Sequence, residues 1–264
     1  MAEQTKMAKA LLLLIALAAL LGGKVAAAAD LVELKAAADP WPPFIDPEHP
    51  HGGVSVEIAN AAFATQGYKV KQLIVPWARA VEGTRRGTFD LILDAWWSQE
   101  RIDLFAYSNP YLTNEVKFIK LKGDLFEFKG LESLRGRVIG VVRGYAYNDA
   151  FMEADYFTRL EVTQFMQSVL MLSQRRINLT LEDELVARYR IQREEPALLP
   201  MLEFVEPPLS ANKLYVISGM KNPRHRQYID AFNRGLAIIK ENGEFDRILK
   251  ENGLVDGEHV QEGP

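Results

Sequence analysis

Apolar and polar positions along this chain switch repeatedly between two periods. Leu34 to Ala37 reads as a strand, and the proline-stiffened segment Asp39-Pro40-Trp41-Pro42-Pro43-Phe44 follows it as a loop. From Val54 to Gln66 the period becomes helical. Ile58, Ala61, Ala62 and Thr65 share one face, and Gly67 supplies the stop. Val70 to Val75 reads as a strand, Trp77 to Arg86 as a short helix ending at Gly87, and Leu91-Ile92-Leu93 as a buried strand. Ser98 is placed to cap a short helix that carries Arg101.

The second half repeats the alternation. Strands are predicted at Val138 to Val142, Leu160 to Thr163, Leu179 to Leu181 and Met201 to Val205. Helices are predicted at Tyr147 to Ala154, along the face Met166, Val169, Leu170 and Ser173, and from Asp183 to Arg190. Ile229, Phe232 and Leu236 mark a long helix that stops near Asn242-Gly243, and a last helix runs from Phe245 to Lys250. Strands that alternate with helices predict mostly parallel sheets flanked by helices, an α/β class, and two such runs predict two lobes. Ligands in such sheets bind beyond the carboxyl ends of the strands, so facing lobes would share a cleft.

The first residues break this pattern. Lys6 and Lys9 precede an uninterrupted apolar run from Ala10 to Leu21, then Gly22-Gly23, then small residues up to Ala29. This is the three-part form of a secretory signal peptide, residues 1–29, with cleavage expected after Ala29. The run is short for a membrane span, which needs about 20 residues. A soluble product exported to the periplasm is expected.

Composition narrows the chemistry. With 264 residues, 48% hydrophobic and 25% charged, the chain is globular rather than disordered. A net charge of −4 argues against a general nucleic-acid binder. The absence of cysteine excludes disulfides, thiolate metal sites, cysteine nucleophiles and a lipidated N-terminal cysteine. His49 and His51 make a weak metal signal, and neither a nucleophile elbow nor a phosphate-binding glycine loop is present, so no cofactor, no metal and no enzymatic activity are expected.

Several motifs occur in a recognisable order. Asp90-Leu91-Ile92-Leu93 is followed by Ser98-Gln99-Glu100-Arg101 and then by Tyr107-Ser108-Asn109-Pro110-Tyr111. Trp41-Pro42-Pro43-Phe44, the segment from Gly136 to Gly144, the segment from Gln174 to Glu184 and the C-terminal Glu241-Asn242-Gly243-Glu244-Phe245 complete the set. This ordered set resembles the bacterial extracellular solute-binding proteins of family 3, the periplasmic receptors of amino-acid importers of the ABC type. The resemblance implies the two-lobed type II periplasmic-binding-protein fold. It places lobe 1 at residues 30–119 and 213–256, lobe 2 at 122–210, and a loose tail at 257–264. The crossings would fall near Phe118 to Leu121 and Ser210 to Leu214. It further implies a small-molecule ligand, an ABC-type permease as partner, no nucleic acid, and a monomer.

The same resemblance suggests site residues. Arg101 matches the arginine that clamps a ligand carboxylate, a role its planar fork suits; the competing reading is a surface arginine. Asp183 matches the lobe 2 carboxylate that holds an ammonium, though it is equally placed to cap a helix. Gly144 and Tyr145 fall at a turn whose backbone N–H groups would suit an anion. Trp41 and Trp77 match aromatic rings that sandwich the ligand, against a competing role in core packing. Trp96 and Trp97 depart from the family pattern. Beside Asp94 and Ser98 they could form a cage for a cationic or aromatic ligand, or pack into the lobe. The function implied is capture of an amino acid or related amine or organic acid by hinge closure. An accessory or sensory protein without transport is the alternative, and a dehydratase-like enzyme using Glu182 or Asp183 is a more distant one.

Overall fold

The computed structural model describes residues 31–254. The expected signal peptide and the tail at 257–264 lie outside them. Strand β1 (Val32–Ala38) pairs in parallel with β2 (Tyr68–Ile74), and helix α1 (Val54–Ala64) connects them. A parallel pair needs such a crossover. One face of α1, with Ile58, Ala59, Ala62 and Phe63, is fully buried. It packs on α6 (His225–Glu241), whose buried face carries the expected Ile229, Phe232 and Leu236. The two helices touch at Gly235, where a Cβ would lie 2.0 Å from the carbonyl oxygen of Ala62. Only a residue without a side chain allows that approach.

Helix α2 (Trp77–Arg86) ends at Gly87, left-handed with φ 81°, as its sequence implies. Strand β3 (Ile92–Trp96) is buried along its whole length. Ala36 bridges Leu91 in parallel, which sets the start of β3 beside β1. Strands β4 (Phe105–Tyr107) and β5 (Leu112–Leu121) follow, neither of them anticipated from the hydrophobic pattern. Both pair antiparallel with β9 (Leu202–Gly219), as does β3. The strand expected at 201–205 is therefore the first part of a much longer one.

The remaining strands form a parallel group. β6 (Val138–Val142) lies between β7 (Thr158–Val162) and β8 (Leu179–Asp183), and β8 joins β5 antiparallel. Helices α3 (Asp149–Glu153), α4 (Phe165–Ser173) and α5 (Glu184–Glu194) connect or flank this group, and α7 (Glu244–Glu251) closes the described chain. The buried face of α4 is Phe165, Met166, Ser168, Val169 and Leu172, whereas Leu170 is 39% exposed. The expected face was thus rotated by part of a turn. β5 and β9 are the two long strands common to both groups of elements. Their register shifts between Val116 and Phe118, so Val116 faces Ser210 and Phe118 faces Val205.

Candidate functional site

Four chain segments end at one place. They are the loop after β1, the start of α2, the end of β3 with the short 3-10 turn Gln99–Arg101, and the turn after β6. Three of the four follow the carboxyl ends of strands, where open α/β sheets bind ligands. Together they line one pocket, formed by Asp39, Trp41, Trp77, Asp94, Trp96, Arg101, Tyr145 and Ala146.

The walls are aromatic. Trp41, Trp77 and Trp96 are 3–5% exposed, and Tyr145 stands edge-on between Trp77 and Trp96 with centroids 5.6 Å from each. Trp41 meets Trp96 edge to face at 5.7 Å. Such edge contacts suit the ring quadrupoles. All three indole N–H groups are already used. Trp41 Nε1 donates to Glu182 Oε1 at 3.2 Å, Trp77 Nε1 to the Gly144 carbonyl at 2.8 Å, and Trp96 Nε1 to Asn114 Oδ1 at 3.4 Å. The tryptophans therefore offer a guest ring surface and no donor.

The floor is acidic. Asp39 is 5% exposed, Asp94 6%, and Glu182, at the end of β8 behind Trp41, is fully buried. Burial pushes the Asp39 carboxyl up to about 7, with Arg190 and the Tyr145 hydroxyl partly offsetting it. Burial, together with the nearby charge of Asp39, holds Asp94 well above the usual carboxylate range. Burial raises Glu182 to about 8, against bonds from the Asp183 backbone and Trp41. Asp94 Oδ1 and Glu182 Oε2 are buried acceptors without a hydrogen-bond partner among the described residues.

Arg101 is the cation of the lining. One arm, Nη2, donates to the Gly144 carbonyl, the guanidinium lies 5.9 Å from the Trp77 ring centroid, and Nη1 is buried without a partner. Burial lowers its proton affinity. A second arginine, Arg190 on α5, is buried and bound to Glu194 Oε1 at 2.8 Å.

Trp41, Trp77, Asp94, Trp96, Arg101, Gly144 and Tyr145 are thus brought together, whereas three expectations fall elsewhere. Trp97 is 42% exposed and outside the cavity lining, because consecutive residues at a strand end point to opposite faces. Ser98 is buried at the head of the 3-10 turn, and its side chain makes no capping bond. Asp183 is the N-cap of α5, accepting from Val186 N at 2.9 Å, and the carboxylate turned to the tryptophans is its neighbour Glu182. The turn at Gly144 also differs from expectation. The Tyr145 N–H is spent on Val142 O, so the turn presents a carbonyl rather than a nest of donors. Asp39 was the residue that sequence reasoning passed over, although its place just after a strand was the available signal. Among the described residues no group of three or more metal-ligating side chains is assembled.

A second contact joins the loop after β1 to α5. Asp46, in the loop after β1, accepts from Tyr189 Oη at 3.1 Å and from Arg193 Nη1 at 3.2 Å, both on α5.

An aromatic, acid-floored cavity at strand carboxyl ends, between two α/β groups that share β5 and β9, defines a solute-binding protein of the type II periplasmic fold. The chain belongs to the bacterial extracellular solute-binding proteins, family 3, whose model matches residues 34–254. No curated protein matches the sequence. Similar solved structures include a mutant of ArgBP from T. maritima, with TM-score 0.71, 19% identity and coverage of 84% of this chain and 94% of that one. An ancestral arginine-binding protein bound to arginine gives TM-score 0.72 and 19% identity over 84% and 98% of the chains. A histidine kinase sensor domain with similarity to periplasmic binding proteins gives 0.73 and 19% over 84% and 95%. At these identities the likeness is one of fold.

Proposed function

We propose that this is a periplasmic solute-binding protein that captures a small polar solute, an amino acid or related amine or organic acid, and delivers it to an ABC-type importer. The observation that carries this is the cavity itself. Trp77 and Arg101 come from one side, and both donate to Gly144 on the other, so the two walls meet at the pocket. The lobes that close would be residues 30–119 with 213–256, and 122–210. Closure of two lobes over a solute is a hinge motion, with β5 and β9 as the hinge. The signal-peptide pattern of residues 1–29 supports export, and the protein would act as a monomer.

Thermal unfolding of residues 30–264 against amino acids, amines and organic acids tests this. A solute at a hundred times its dissociation constant adds about 2.7 kcal/mol. A folded protein, freed of carried-over solute, that no small molecule stabilises would overturn it. The sensor domain of similar fold favours signalling as the second reading. Loss of solute uptake in a deletion strain supports transport, and intact uptake with altered gene expression supports the sensor.

A further inference from the structure

The cavity's unmet hydrogen bonds and its charges favour one kind of guest. Asp39 and Asp94 both line it, and each is more than nine-tenths buried. Two buried carboxylates in one space repel when both are ionised, and each alone is costly to ionise there. Such a pair holds a proton until a cation replaces it. The surroundings relieve the charge only in part. Facing Asp39 are Arg190 from α5, Tyr145 from the turn after β6, and Asp94. Near Asp94 are Asp39, Tyr111 and Tyr145. Behind Trp41, Glu182 faces Asp183 and Arg190, and Tyr147 stands close to it.

Arg101 does not reverse this balance. A carboxylate guest is clamped by two parallel N–H bonds from one guanidinium. Here one N–H of Arg101 is committed to the Gly144 carbonyl, which fixes the fork toward the protein, and Nη1 is a buried donor without a partner among the described residues. An anion would meet that donor but would also face Asp39 and Asp94. A cation meets the bare acceptor Asp94 Oδ1 and the faces of indoles whose N–H groups are already spent. Aromatic faces attract cations, most strongly when water is excluded. An unsatisfied buried acceptor requires a donor, so the charged end must carry N–H groups.

We infer that the solute is an organic cation with N–H groups on its charged end, held against Asp39 and Asp94 between Trp77, Trp96 and Tyr145, and that its entry expels a proton from the carboxyl pair. This rests on the solute-binding reading of the same cavity and names the class of solute. The ammonium or guanidinium keeps its charge, and the carboxyl proton passes to water.

Calorimetric titration tests it with agmatine, 1,4-diaminobutane, phenethylamine and L-arginine as N–H-bearing cations, choline as a cation without N–H, and succinate, L-glutamate and D-glucose as controls. At least one N–H cation should bind more tightly than choline and every control. Its affinity should be at least about tenfold weaker at pH 6 than at pH 8, since each fully displaced proton changes affinity tenfold per pH unit. Repeating the titration in buffers of different ionisation heat should register release of that proton. Asp39→Asn and Asp94→Asn, each confirmed to be folded by circular dichroism, should each weaken that cation at least tenfold and flatten its pH slope. Tightest binding of succinate, glutamate or glucose would overturn the cation and leave solute binding standing. So would choline binding as well as the N–H cations, or a pH-independent affinity. No binding by any compound would remove both readings.

Discussion

Trp77 and Arg101 share one acceptor, the carbonyl oxygen of Gly144. Gly144 sits in the turn after β6 with φ 78°, a left-handed conformation that a glycine adopts without strain. The two donors come from the opposite side of the cavity, so a single backbone atom ties the walls together. A hydrogen bond of this kind contributes about 0.5–1.5 kcal/mol net. Trp77→Phe keeps a ring and removes the donor. Solute affinity should fall about three- to tenfold, and small-angle scattering should show a larger radius of gyration at subsaturating solute. Unchanged affinity and radius would mean that this oxygen does not hold the walls together.

Adjacent tryptophans should behave oppositely. Trp96→Ala empties a buried site and should cost about 3–5 kcal/mol, with loss of solute binding. Trp97→Ala removes an exposed ring and should stay within about 0.5 kcal/mol of the parent. Urea denaturation of the two variants gives both numbers, and equal costs would contradict the placement of the rings.

Asp183 and Glu182 divide two roles that are hard to tell apart in sequence. Asp183→Ala removes the N-cap of α5 and should cost about 1 kcal/mol or somewhat more. Glu182→Leu should instead weaken the solute, since its carboxyl accepts the Trp41 N–H and so holds one ring of the cavity wall. A stability loss at Glu182 with no change in affinity would reverse the assignment.

Stability of the solute-free protein should depend on pH through the buried carboxyls. Asp39 is raised to about 7 and Glu182 to about 8, above the ordinary carboxylate range. Between the ordinary range and these values the folded state binds more protons than the unfolded state. Stability from these groups is therefore full at low pH and is lost as pH rises towards 8. Denaturant midpoints at pH 5 and pH 8 check the sign. Asp39→Asn should shrink the difference, and an unchanged difference would mean that Asp39 ionises freely in the folded protein.

Gly235→Ala tests the packing of α1 on α6. Its Cβ would overlap the Ala62 carbonyl, so α1 and α6 must separate, at a cost of about 1–3 kcal/mol or more. A variant as stable as the parent would show that the helices can part freely.

The local elements were legible wherever a period, a cap and a stop agreed. α2 with Gly87 and α6 with Ile229, Phe232 and Leu236 are such cases. β5 and the length of β9 were not legible, because their residues face different neighbours along one strand and follow no single alternation. The site was legible as far as motif order could place residues. Which of two adjacent residues turns inward was not, at Trp96 and Trp97 or at Glu182 and Asp183. That choice is set by strand-end geometry, where one residue of register exchanges cavity for solvent or for a helix cap.

Three of the chain's four tryptophans line the cavity. The protein therefore carries its own optical reporter. Fluorescence excited at the indole band comes mostly from rings that a solute would touch, above a steady, red-shifted contribution from the exposed Trp97. Occupancy can be followed without a label, and the Trp97→Phe form would darken the background while leaving the signal in place.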